Sequence, residues 1–118
     1  MDKYLVGISY HEPETYKLWK KGLIEDYESS TGIFINANSR NEAIAWGKKI
    51  GERLFQKENP KEIKNWNSFG HFCWIEEDWN KSGWKHCFDF LQTVNIGIYP
   101  DFDKMGSKAY ANWVDKKK

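Results

Sequence analysis

Ser39-Arg40-Asn41-Glu42 opens the stretch that most constrains this fold. A serine followed three residues later by a glutamate is a capping box, in which the two side chains satisfy free backbone N–H groups at a helix start. Behind it, Ala43, Trp46, Gly47, Ile50, Leu54 and Phe55 recur at helical spacing, with Lys48, Lys49, Glu52 and Arg53 filling other positions. The spacing predicts a helix over about 40–57. Ala43, Gly47 and Gly51 form a stripe of small residues four apart. Each glycine costs on the order of 1 kcal/mol of helix propensity relative to alanine. Close packing on a sheet is the expected compensation.

The sheet must come from the flanking segments. Lys3 to Tyr10 alternates, with Tyr4, Val6, Ile8 and Tyr10 on one side and Leu5, Gly7 and Ser9 on the other, which predicts a first strand. Pro13 opens a short helix through Trp19 that Gly22 ends, and Leu23 to Glu28 is a candidate strand. Gly32 to Ala37 is a β-rich run. Val94, Ile96 and Ile98 alternate until Pro100 stops them. Asp101 is then expected to cap a last helix with Phe102, Met105, Ala109, Tyr110, Trp113 and Val114 as its apolar stripe, and Lys116 to Lys118 suit its C-terminal dipole. The expected architecture is one α+β domain over residues 1–118. It has an antiparallel sheet of about four to five strands, packed by one long central helix and a C-terminal helix.

Charge and length limit the function classes. With 118 residues, one core burying roughly two thirds of the unfolded surface is expected. The 18 basic and 17 acidic residues leave a net charge of +1, which removes the long-range field that nonspecific nucleic-acid binders use. Lysines and aromatics do interleave in Tyr16-Lys17-Leu18-Trp19-Lys20-Lys21, yet no ribonucleoprotein consensus accompanies them, so nucleic acid is a disfavoured partner. MDKYLVGISY lacks the basic-then-apolar pattern of a secretion signal, and no run approaches the ~18 apolar residues that span a bilayer. A soluble, cytoplasmic protein with two reduced cysteines and no membrane partner is expected. Asn80-Lys81-Ser82 is then a chance match to a glycosylation acceptor.

The chemistry-bearing residues gather in GHFCWIEEDWNKSGWKHCFDF, Gly70 to Phe90, which holds both cysteines and two of the three histidines. Turn-forming residues from Glu76 to Gly83 suggest a hairpin with strands over about 70–75 and 84–91. Sorting side chains by face fixes its register, because a slip of one residue exchanges the faces. The favoured register sets Phe72, Trp74, Trp84, Phe88 and Phe90 on one face, and places Cys73 opposite Cys87 and His71 opposite Asp89 on the other. A tetrahedral metal site from His71, Cys73, His86 and Cys87 is not expected, since strand neighbours His86 and Cys87 point apart. A thiol enzyme using Cys73 or Cys87 with His71 as base and Asp89 to orient it is the catalytic alternative. Against it, no helix N-terminus or glycine-rich turn offers to activate the thiol.

Glu76, Glu77, Asp78 and Trp79 make up the hairpin tip. Three consecutive acids cannot all be buried, and an acidic rim around an aromatic anchor suits a basic surface on another protein. The plainer alternative is a solvated turn with Trp79 folded back. No phosphate-binding loop, dinucleotide fingerprint, nucleophile elbow or zincin motif occurs, so no cofactor is implied. The unit from Gly32 to Phe55 is a common α+β building block and carries no function with it. The sequence therefore points to a non-enzymatic protein-binding module of inhibitor or immunity type. Small-ligand binding through exposed tryptophans is a further class.

Overall fold

The computed structural model describes residues 1–25 and 29–117. A four-stranded sheet, in the order β3-β1-β2-β4, carries three helices. Strand β1 (Asp2–Tyr10) pairs antiparallel with both β2 (Ser29–Ala37) and β3 (His71–Glu76). The short β4 (Thr93–Asn95) runs parallel to β2. The fold is α+β as expected, but the sheet is mixed rather than purely antiparallel. Parallel pairing arises because β2 and β4 are joined through α2 and β3, a crossover long enough to return the chain in the same direction.

Helix α1 (Pro13–Lys20) has proline in its first turn, and Gly22 follows it at φ +75°. Leu23 to Glu25 form no strand, and the rest of the segment expected to be one lies outside the described residues. Helix α2 (Arg40–Glu58) starts at the predicted cap: the Ser39 hydroxyl accepts from the Glu42 N–H at 3.2 Å. The Glu42 carboxylate accepts from the N–H of Asn38 at 3.4 Å, one residue before the expected partner. The small-residue stripe faces the sheet. A Cβ on Gly47 would stand 2.8 Å from Val6 Cγ1, and one on Gly51 would stand 2.4 Å from Trp66 Cζ3 and 2.8 Å from Ile8 Cγ2. Helix and sheet therefore touch at backbone distance. Val6, Ile8, Ile33, Ile35, Ala43, Ile50, Leu54 and Phe55 form the fully buried centre of this layer.

Two C-terminal expectations change. The strand through Ile98 stops at Asn95, because Gly97 turns the chain at φ +88°. The indole N–H of Trp46 then donates to Ile98 O at 3.0 Å, pinning that loop to α2. Asp101 caps only a single turn, Phe102–Lys104, by accepting from the N–H of Asp103 at 3.0 Å. Helix α3 (Ser107–Lys117) begins after Gly106, which sits at φ +96°.

The hairpin expected from Gly70 to Leu91 is absent. β3 pairs with β1 instead, and the segment after it crosses the sheet face opposite α2 in short turns, Trp79–Lys81 and Lys85–Cys87. The Ser82 hydroxyl accepts from Trp84 N–H at 3.1 Å, and Cys87 N–H donates to Trp84 O at 2.9 Å. Trp84, Phe88 and Leu91 lie four and three residues apart, a spacing that suits successive turns, and two of the three, Trp84 and Phe88, are also the residues that suited one strand face. Among the described residues no helix is long and apolar enough to cross a membrane.

Candidate functional site

The sheet face away from α2 carries a row of aromatic side chains seated on strand glycines. Gly7 and Gly32, paired across β1 and β2, open seats on it. A Cβ on Gly7 would lie 2.3 Å from Trp74 Cε2, and one on Gly32 would lie 2.8 Å from Trp84 Cε3. The two indoles therefore rest against strand backbone. They also stack on each other, at 5.7 Å between centroids and 23° between planes, and Phe72 extends the row from Trp74 at 5.6 Å. Phe72 ends the row 62% exposed, on a strand that pairs only with β1 among the described residues. Next to this row, Phe34 receives the edges of Trp79 at 4.9 Å and Phe88 at 5.4 Å.

The four residues expected at a hairpin tip run instead from the end of β3 into the first turn after it. Glu76 ends β3 opposite Leu5. Glu77 forms an exposed ion pair with Arg40 at the start of α2. Asp78 caps the following turn, its carboxylate accepting from the N–H of Asn80 at 3.0 Å. Trp79 folds back onto Phe34 and keeps 36% of its surface exposed.

The catalytic cluster is not assembled. Cys73 aligns with Ile8 and is buried beneath α2, and burial pushes its thiol up to about 11 despite the opposing pull of Lys48. Cys87 lies in the turn-built layer on the other side of the sheet, also buried, its thiol likewise raised by burial. Both cysteines are free. His71 stacks on Trp66 at 4.1 Å and bonds through Nε2 to Asn67 Oδ1 at 2.5 Å, so its partner is Asn67 and not Asp89. Its Nδ1 is buried with no hydrogen-bond partner. Burial lowers its pKa, Lys48 lowers it further, and Glu52 acts in the other direction. Asp89 is exposed on the surface. The cross-strand pairing that was to gather these groups needed residues 84–91 to be a strand, and they turn instead.

Turning brings together two residues that strand alternation separates. His86 and Cys87 line the same half-open cavity of about 290 Å³, between the Gly83–Leu91 segment, the start of β2 and the start of α3. His86 Nε2 and the Tyr110 hydroxyl are hydrogen-bonded across it at 2.9 Å. Sequence reasoning missed this cavity, and it missed the two glycine seats, whose available signal was a glycine inside each strand pattern. Among the described residues no group of three or more His, Cys, Asp or Glu converges as a metal would require. Comparison with protein-family models, with curated proteins and with solved structures gives no match, so the functional reading rests on this geometry.

Proposed function

We propose that the chain is a non-catalytic binding protein, an inhibitor- or immunity-type module that holds a basic surface of another protein through Glu76, Glu77, Asp78 and Trp79. One observation carries the reading. Trp79 is fixed by Phe34 and Phe88 yet stays 36% exposed, directly after three carboxylates. A pre-positioned aromatic loses little rotamer freedom on binding, and aromatic anchors surrounded by polar rims dominate protein interfaces. Arg40 already occupies Glu77, and that exposed pair is worth only about 0.2–1 kcal/mol, so a basic partner can displace it. Two buried free thiols suit an intracellular setting.

The test is affinity capture from the native cell with the wild type and with a Glu77→Lys/Asp78→Lys double variant, each checked by thermal melting. The charge-reversed chain loses the Asp78 cap and the Glu77–Arg40 pair, so it should melt below the wild type while still unfolding cooperatively, and it should lose its partner at a temperature where it is folded; wild-type capture should weaken at high salt. Equal capture by both chains would sink the proposal. Trp79→Ala is the weaker probe, because it also removes packing on Phe34 and Phe88.

A further inference from the structure

We infer that the cavity between Trp84, Phe90 and Tyr110 is a binding site for a small, uncharged, planar aromatic molecule. Its volume of about 290 Å³ is roughly twice that of an apolar protein cavity known to take up benzene, about 150 Å³. A bicyclic ring system, or a single ring with one substituent, therefore fits. Three aromatic side chains supply walls on which a flat ring can stack. Uncharged polar groups stand at its edges: the hydrogen-bonded pair of His86 and Tyr110, Ser107 at the start of α3, and Ser30 and Thr31 on the β2 wall. A largely apolar cleft with a small number of directed polar groups is the usual composition of a small-molecule site.

Charge decides the ligand class. No Asp, Glu, Lys or Arg lines the cavity, so an ion held against its aromatic walls would give up part of its hydration without meeting a carboxylate, ammonium or guanidinium in return. A neutral ring bearing one N–H or O–H matches the His86–Tyr110 pair, which can accept from it. None of Glu76, Glu77, Asp78 and Trp79 lines the cavity, so this site stands or falls separately from the protein-binding corner.

The probe is indole, titrated into the full chain and followed by backbone amide NMR. Saturable shifts confined to the amides of Gly83, Trp84, His86, Cys87, Ser107 and Tyr110 are expected. Indole-3-carboxylate should bind at least tenfold more weakly, since its charge finds no partner. Ser107 is exposed at the cavity rim, and Ser107→Phe should fill the space and abolish binding. Ser30→Phe does the same from the β2 wall should the first substitution weaken the fold. His86→Ala, which removes one hydrogen-bonding group, should weaken indole about two- to tenfold. Shifts scattered over Phe72, Trp79 and Trp113, binding that survives both cavity-filling variants, or tighter binding of the carboxylate would each overturn the assignment.

Discussion

Gly7→Ala isolates what holds the aromatic face together. The position is extended and outside the positive-φ glycines, so alanine fits the backbone and by itself should stabilise the strand by roughly 0.5–1 kcal/mol. The side chain has no room, however. Its Cβ would fall 2.3 Å from Trp74 Cε2 and 2.4 Å from Cζ2, against the ~3.5–4.0 Å of an ordinary carbon contact. The indole must move by more than ~1 Å, at an overpacking cost of about 1–3 kcal/mol. That shift also disturbs its stacking on Phe72 and Trp84, each pair worth about 0.5–1.5 kcal/mol. The net expectation is destabilisation by about 2–3 kcal/mol. With ~4 °C per kcal/mol at this chain length, the melting temperature should drop by ~8–12 °C. A double-mutant cycle gives the decisive control. In a Trp74→Ala background the clash is gone, so Gly7→Ala should become neutral or stabilising. An equal cost in both backgrounds, or no cost in the wild type, would refute the idea that Gly7 is a seat for Trp74.

The remaining predictions concern titratable groups. Burial raises both thiols, so neither Cys73 nor Cys87 should alkylate rapidly in the folded protein near neutral pH, although both should react at once after unfolding; rapid modification of either, read by mass spectrometry, would revive the thiol-enzyme alternative. For His71 the folded-state pKa lies below its ordinary value of 6.5, so the folded chain resists a proton that the unfolded chain accepts. Its contribution is therefore complete above about 6.5 and is lost as pH falls through the depressed value. Thermal melting of the wild type should fall over that range more than that of His71→Gln, and NMR titration of His71 should show a midpoint below 6.5.

What could be read from the sequence depended on whether one physical constraint acted locally. The Ser39 cap and the Ala43, Gly47, Gly51 stripe could be read because capping and helical spacing are short-range, and α2 lies where they put it. The first strand was legible for the same reason. The partner of β3 was not. Nothing in His71 to Glu76 distinguishes pairing with a neighbour in sequence from pairing with β1, some sixty residues away, and long-range pairing is decided by the assembled core. The face sorting nevertheless worked in part: Phe72, Trp74 and Trp84 do share a face, although Trp84 arrives there on a turn. Glu76 to Trp79 was expected as a hairpin tip and instead leads from β3 into a turn, and the ion pair of Glu77 with Arg40 could not be foreseen, since it joins two distant segments.

The two sheet faces are built to different standards. On the helix face, α2 meets the strands at backbone distance through glycines, and Val6, Ile8, Ile33, Ile35, Ile50 and Leu54 are each fully buried. Such a layer tolerates no further volume and offers nothing to a partner. The opposite face is covered by short turns whose backbone bonds are mostly local, from Trp79 to Leu91. Turns cannot present a continuous ridge, so their side chains leave Phe72 bare, Trp79 part-exposed and a cavity open beside Tyr110. Large aromatics hold this looser layer in place by resting on Gly7 and Gly32. The abundance of aromatic residues in the chain thus serves cover and exposure at once: on the turn-built side the same rings that seal the sheet also leave part of their surface within reach.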